Sequence, residues 1–216
     1  MIVLAIDTAG VDCSAAIYDS SKGEILGTAT ETLGRGHAEH LMRMIDEALA
    51  QASLSLDEID RIAVTIGPGS FTGIRVGVAT ARGLALALGV EAVGVSTLAV
   101  IAGASGETSK PVLAAMDAKR DEIYLQAFSI AGDPLDKARI ESLNTFLALA
   151  RGGAYHVVGS AEALAHDPAA PTSPDHFPIE IVARLGAETE ATTSPKPLYL
   201  RGPDAKPQAG FAVART

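Results

Sequence analysis

The chain has 216 residues, 48% of them hydrophobic, with 17 Lys and Arg against 26 Asp and Glu, a formal charge of −9 at pH 7, one cysteine and no tryptophan. At roughly 150 residues per domain, this length suits one large domain or two small ones with a sizeable apolar core. The acidic balance excludes a free-standing nucleic-acid binder unless a local basic patch exists, and the sequence holds none. Cys13 has no partner for an intrachain disulfide. The opening MIVLAIDTAG has no basic n-region and carries Asp7 inside its apolar run, so cytoplasmic residence is expected. The longest stretch without charge, residues 92–106, is too short and too rich in Gly, Ser and Thr to span a bilayer, so no membrane partner is expected.

Residues 2–7 form an apolar run ending on an acid, the pattern of a buried strand. Residues 14–18 and 24–30 are further short strands separated by the turn-forming segment 19–23, which gives a three-stranded meander. Leu41, Met44, Ile45, Ala48, Leu49 and Ala52 recur at helical steps and predict an amphipathic helix over 37–52. Residues 61–66 return to strand, Gly67-Pro-Gly-Ser-Phe-Thr-Gly73 makes a turn, a helix runs over about 74–88, and 90–95 is another strand. The order of three strands, helix, strand, helix, strand resembles the ribonuclease-H-like half of an actin-like or sugar-kinase-like ATPase.

The second half echoes the first, since Leu113-Ala-Ala-Met-Asp117 parallels Leu4-Ala-Ile-Asp7 and a half-exposed strand over 122–129 follows it. A later strand is expected at 156–159. Proline separates the halves: Pro68 is the only one before residue 110, and several of the rest crowd residues 166–178. The expected architecture is α/β, actin-like, with duplicated ribonuclease-H-like lobes. Residues 1–106 form the N-terminal lobe, 107–200 a reduced C-terminal lobe, and 201–216 a tail whose composition predicts disorder.

Asp7 and Thr8 stand at the end of the first strand, where a carboxylate suits a hard cation and a hydroxyl suits phosphate; the alternative is an Asp that caps a turn. Gly67, Gly69, Ser70, Thr72 and Gly73 lie in a glycine loop between strand and helix, which is a general anion site. No lysine follows the last glycine, so this is not a Walker loop, and Arg75 is the nearest cation. The alternative is a tight turn with Ser70 or Thr72 as N-cap. His37 and His40 are three apart at a helix start without further ligands, so no metal site is expected. Cys13 has no neighbour in sequence that would activate it and reads as a core residue.

The helix over 74–88 is apolar or small in nearly every direction and should be buried on more than one side. Gly73, Gly77 and Ala81 at four-residue spacing form a small-residue ridge that another helix could approach. The expected interface residues are His40, Leu41, Met44, Ile45, Ile74, Gly77, Val78, Ala81, Leu84 and Ala85; burial between sheet and neighbouring helix is the alternative.

The segments LAIDT, EHLMRMIDEAL, GPGSFTGIRVGVATARGLALAL, GVSTL, AAMDAKRDEIY and LYLR, in order from the first residues to Arg201, resemble those of the TsaB (YeaZ) family. That family serves the synthesis of N6-threonylcarbamoyladenosine at position 37 of tRNAs reading codons that begin with adenine. The resemblance implies kinship with TsaD, the threonylcarbamoyl-transferring subunit, whose metal-ligand histidines would correspond to Thr97 and Ile101 here; neither suits a metal. Gly152-Gly153 precedes a strand rather than opening a helix, so the superfamily's adenosine cradle is also unmatched. The implied role is a non-catalytic subunit that forms a heterodimer with TsaD through its first lobe, recruits the ATPase TsaE, forms a homodimer when alone, and meets tRNA only through the complex. No cofactor is expected to be held tightly by this chain alone, with ATP or ADP placed at the TsaD interface. Two other readings stand beside it: a small actin-like ATPase or phosphotransferase using Asp7, Thr8 and the glycine loop, and a glycoprotease-like metalloprotein.

Overall fold

The computed structural model describes residues 1–201, so the expected tail lies outside the described residues apart from Arg201. The first sheet is a meander of β1 (Ile2–Asp7), β2 (Asp12–Asp19) and β3 (Glu24–Thr32), joined by β4 (Arg61–Gly67) and β5 (Glu91–Ser96) in the order β3-β2-β1-β4-β5. The meander pairs are antiparallel, whereas β1 with β4 and β4 with β5 are parallel. Parallel pairing requires crossovers, which α1 (His37–Ala52) and α2 (Phe71–Leu88) supply.

The bounds of α1 coincide with its apolar stripe; Leu41, Met44, Ile45, Ala48 and Leu49 are buried against β2 and β3. α2 begins three residues before the expected start because Ser70 is the cap: its hydroxyl accepts from the Gly73 N–H at 3.2 Å. The helix ends at Gly89, which takes the left-handed conformation and donates its N–H to the Ala85 carbonyl.

After α3 (Thr97–Ala104), a second sheet repeats the scheme with β6 (Val112–Asp117), β7 (Glu122–Phe128), β8 (Arg139–Ser142) and β9 (His156–Val158) in the order β8-β7-β6-β9. β6 pairs antiparallel with β7 and parallel with β9, as β1 does with β2 and β4. This is the first sheet's scheme without its fifth strand. α4 (Leu143–Arg151) and α5 (Glu162–His166) cover one face, where Leu113, Ala115, Ile123, Leu125 and Phe146 form a small core. The alternate β6 residues Val112, Ala114 and Met116 turn the other way and join the main core.

The sheets separate near residue 106, yet the chain does not stay in the second lobe. α6 (Ile179–Glu188) returns to the first sheet and buries Ile179, Val182 and Ala183 against β1, β2 and β4. Two features of the sequence permit this docking. Ala5 is registered with Ala16 on one side and Ala63 on the other, so a row of small side chains crosses the sheet. Opposite it stands Gly186, where a Cβ would overlap that of Ala63. Gly186→Ala is therefore expected to destabilise the fold by roughly 1–3 kcal/mol through overpacking, read as a lower urea midpoint; an unchanged midpoint would contradict this packing.

Candidate functional site

The strand-end residues and the glycine loop do come together. Gly73 lies so close to β1's end that a Cβ would overlap the Thr8 carbonyl, and the Thr8 hydroxyl donates to the Gly73 carbonyl at 2.7 Å. The Ser70 N–H donates to the Ala9 carbonyl at 2.8 Å. Thr97 reaches the same loop from α3, its hydroxyl donating to the Pro68 carbonyl at 2.6 Å. Thus the position matched to one metal-ligand histidine of the resemblance, Thr97, is a buried tie between loop and helix, and Ile101, the other, packs in the main core.

This cradle is closed. Asp7 and Thr8 are both 0% exposed, and Gly67 and Gly73 are buried, while Gly69, Ser70 and Thr72 are exposed. Within the loop that the sequence offers as an anion site or a capped turn, the Ser70, Gly73 and Ile74 N–H groups are taken by the Ala9 carbonyl, the Ser70 hydroxyl and the Ser70 carbonyl. Arg75 turns away from Asp7 and donates to the Tyr199 hydroxyl.

The cover over the strand ends is the proline-rich stretch around residues 172–176. The Val11 N–H donates to the Asp175 carbonyl at 3.2 Å, and a Cβ on Gly10 would overlap that same oxygen. His176 Nδ1 lies 2.6 Å from Asp12 Oδ2, and the Thr172 hydroxyl donates to Asp117, the acid that ends β6, at 2.7 Å. One segment thereby crosses the ends of both sheets.

Asp7 Oδ1 accepts from the Thr65 hydroxyl at 2.6 Å and the Ala9 N–H at 3.0 Å, but Oδ2 has no hydrogen-bond partner. Burial pushes the Asp7 carboxyl up to about 6, against the pull of those hydrogen bonds. The turn-capping alternative thus describes one oxygen of Asp7, while the other remains a buried acceptor without a donor. Cys13 is buried and its thiol is pushed up to about 11 by burial, which disfavours the thiolate. His37 is buried beside Cys13, whereas His40 pairs with Glu31 at 3.0 Å on the surface, so the two histidines point to different places.

The expected interface residues divide by burial. Leu41, Met44, Ile45, Ile74, Gly77, Val78, Ala81 and Ala85 are all packed in the chain's own core, so they are not surface residues and that assignment is corrected. The ridge of Gly73, Gly77 and Ala81 faces inward: a Cβ on Gly77 would meet the Thr8 hydroxyl and Val64, not another helix. Only Leu84 and His40 remain partly exposed. The outward face of α2 instead carries Phe71, Arg75, Ala79, Arg82, Gly83, Leu86 and Ala87, and the neighbouring helix α1 exposes Met42. Leu86 is 86% exposed, and a Cβ on Gly83 would meet nothing within 4 Å. The signal for this face was the pair Arg75 and Arg82, seven residues apart on one side of an otherwise apolar helix. Among the described residues α2 is the one helix long and apolar enough to cross a membrane by length and composition, yet one of its faces is packed against β4.

Two sheets built to one scheme around strand-end acids define an α/β protein of the actin-like class. The family described as TsaD, tRNA N6-adenosine threonylcarbamoyltransferase, matches residues 16–166. An uncharacterised protein of Mycobacterium tuberculosis is 36% identical over 211 residues, covering 96% of this chain and 95% of that one. The tRNA threonylcarbamoyladenosine biosynthesis protein TsaB of Escherichia coli is 40% identical over 128 residues, covering 57% of this chain and 53% of its own length. The structure of YeaZ from Pseudomonas aeruginosa superposes with a TM-score of 0.73 at 26% identity, covering 92% of this chain and 99% of that one. The chain belongs to the TsaD family, on its TsaB/YeaZ branch.

The raised Asp7 group sets a sign. Its folded pKa of about 6 exceeds the ordinary 3.8, so the folded chain holds the proton more tightly, and stability falls as pH rises between these values. Asp7→Asn removes that slope. Relative to wild type, the variant should gain with increasing pH, by up to roughly 3 kcal/mol between pH 4 and 7.5; a difference independent of pH in urea titrations would refute the buried, proton-binding Asp7.

Proposed function

We propose that this chain is a non-catalytic accessory subunit of the cytoplasmic machinery that makes N6-threonylcarbamoyladenosine in tRNA, pairing with TsaD through the outward faces of α1 and α2. The observation that carries the reading is Gly83. A glycine inside an exposed helix costs about 1 kcal/mol relative to alanine, and nothing within the chain needs the space its side chain would take. Ala79, Gly83 and Ala87 lie at four-residue spacing beside Leu86, which suits the close approach of a partner helix. The same surface would close on itself in a homodimer when TsaD is absent.

The closed cradle supports the accessory role. With Asp7 and Thr8 sealed, any ATP or ADP contacted by this subunit would sit at the TsaD interface, and the charge of −9 leaves the gripping of tRNA to other subunits. TsaE would join the pair rather than this chain alone. The corresponding test is reconstitution of tRNA modification from TsaD, TsaE and this chain. Omitting the chain should abolish product; tight ATP binding by the isolated chain, lost in Asp7→Ala, would favour the phosphotransferase reading instead.

The interface makes a paired prediction. Leu86→Glu should weaken the complex with TsaD about tenfold or more while leaving thermal stability unchanged. Gly83→Ala should raise the melting temperature of the isolated chain by about 2–4 °C and yet weaken TsaD binding. Calorimetric titration showing full affinity in both variants would place the interface elsewhere.

A further inference from the structure

At the first turn of α2 the outward stripe opens on a cluster that the fold does not require. The Arg75 guanidinium lies over the Phe71 ring, 3.7 Å from its centroid, and 5.7 Å from that of Tyr199. Its Nε donates to the Tyr199 hydroxyl at 2.8 Å, and the two rings stand 5.3 Å apart. Both rings are about half exposed, Phe71 at 54% and Tyr199 at 47%. Nη1 and Nη2 have no partner among the described residues, and α2 contains no acidic residue that could supply one.

Tyr199 is itself held in place from both sides. The Leu198 N–H donates to the Ile66 carbonyl at 2.8 Å, which fixes the segment to the end of β4. Two residues on, Arg201 pairs with Glu122 and donates to the Ala118 carbonyl at 3.0 Å, tying it to the turn between β6 and β7. The segment therefore bridges the two sheets, with Tyr199 between its moorings. A long, flexible cation has been stacked and hydrogen-bonded through one nitrogen, leaving its two-pronged end free among the described residues.

We propose that Arg75 is an interface anchor that receives a carboxylate from the folded protein seated on α2, and that Tyr199 is the residue that positions it. This rests on the reading of α2's outward face as the partner surface. A planar fork with both prongs free matches a carboxylate in bidentate geometry, and stacking removes in advance much of the side-chain entropy that pairing would cost. Charge argues for an acidic protein side chain over a nucleic-acid phosphate. The chain carries −9 overall, and the neighbouring helix α1 exposes Glu39, Asp46 and Glu47, which would repel a polyanion. Beyond Arg75, the exposed Ala79, Gly83, Leu86 and Ala87 give this face, which also carries Arg82, a small and apolar middle that calls for a protein surface.

Affinity for purified TsaD is measured by calorimetry at two salt concentrations with wild type, Arg75→Gln, Arg75→Lys, Tyr199→Phe and Leu86→Glu. Arg75→Gln should lose about tenfold or more in affinity, and its binding should respond less to salt than that of wild type. Arg75→Lys should recover only part of the loss, because a point charge neither stacks nor forks. Tyr199→Phe keeps the ring but not the hydroxyl and should lose several-fold, with melting temperatures unchanged throughout. If Leu86→Glu disrupts the complex while Arg75→Gln binds within twofold of wild type, the partner surface stands and the anchor falls. If wild type itself does not bind TsaD, both fall. Binding of a tRNA by the isolated chain that depends on Arg75 would make the occupant a phosphate and overturn the proposal.

Discussion

The backbone of α2's first turn rests on the carbonyl of Thr8, closer than any side chain would allow. Gly73 has no Cβ to collide there, the Thr8 hydroxyl donates to the Gly73 carbonyl, and Ser70 caps the helix while its own N–H goes to Ala9. This contact sets the helix's height above the sheet. It also sets the helix's rotation, since Gly77 one turn later must face Thr8 and Val64. Once those two glycines point inward, Ile74, Val78, Ala81 and Ala85 follow them into the core, and Arg75, Ala79, Gly83 and Leu86 are carried outward. The outward surface of α2 is thus a consequence of how the loop docks on β1.

The same docking seals Asp7. A buried carboxylate with one oxygen unpartnered is a standing cost, and burial holds the group near neutral pH in its titration. In an actin-like fold, an acid at the end of the first strand suits a nucleotide-bound cation. Here the stretch carrying Asp175 and His176 crosses the strand ends, meeting Val11 and Asp12. Thr97 contributes to the same closure by tying α3 to Pro68.

The outward surface has two characters side by side. α1 exposes Glu39, Asp46 and Glu47, with Arg43 engaged by Glu47 and Glu31; α2 exposes two arginines and no acid. Adjacent strips of opposite sign around small and apolar residues favour one orientation of a partner over others. The C-terminal segment adds Tyr199 to this face from outside α2, and the same segment holds Arg201 against the second sheet. The surface and the relation between the two sheets therefore share one tether.

Strands ending on Asp7 and Asp117, the meander, and the bounds of α1 were legible because each rests on a local pattern: an apolar run, a turn composition, or an apolar stripe with charges opposite it. β8, with four residues, and α6, ten residues in a proline-rich half, carried too little local signal. The start of α2 was obscured by a glycine that looks like loop and functions as a contact. Local pattern determined most of the first lobe's strands and helices, which strands ended on acids, and that α2 was apolar or small in nearly every direction, broken by Arg75, Thr80 and Arg82. Which side of α2 faced the core was decided only in three dimensions, because the deciding overlap is between Gly73 and Thr8, far apart in the chain. The return of α6 to the first sheet was decided likewise, by Gly186 meeting Ala63 across a row of alanines that alternation alone does not reveal.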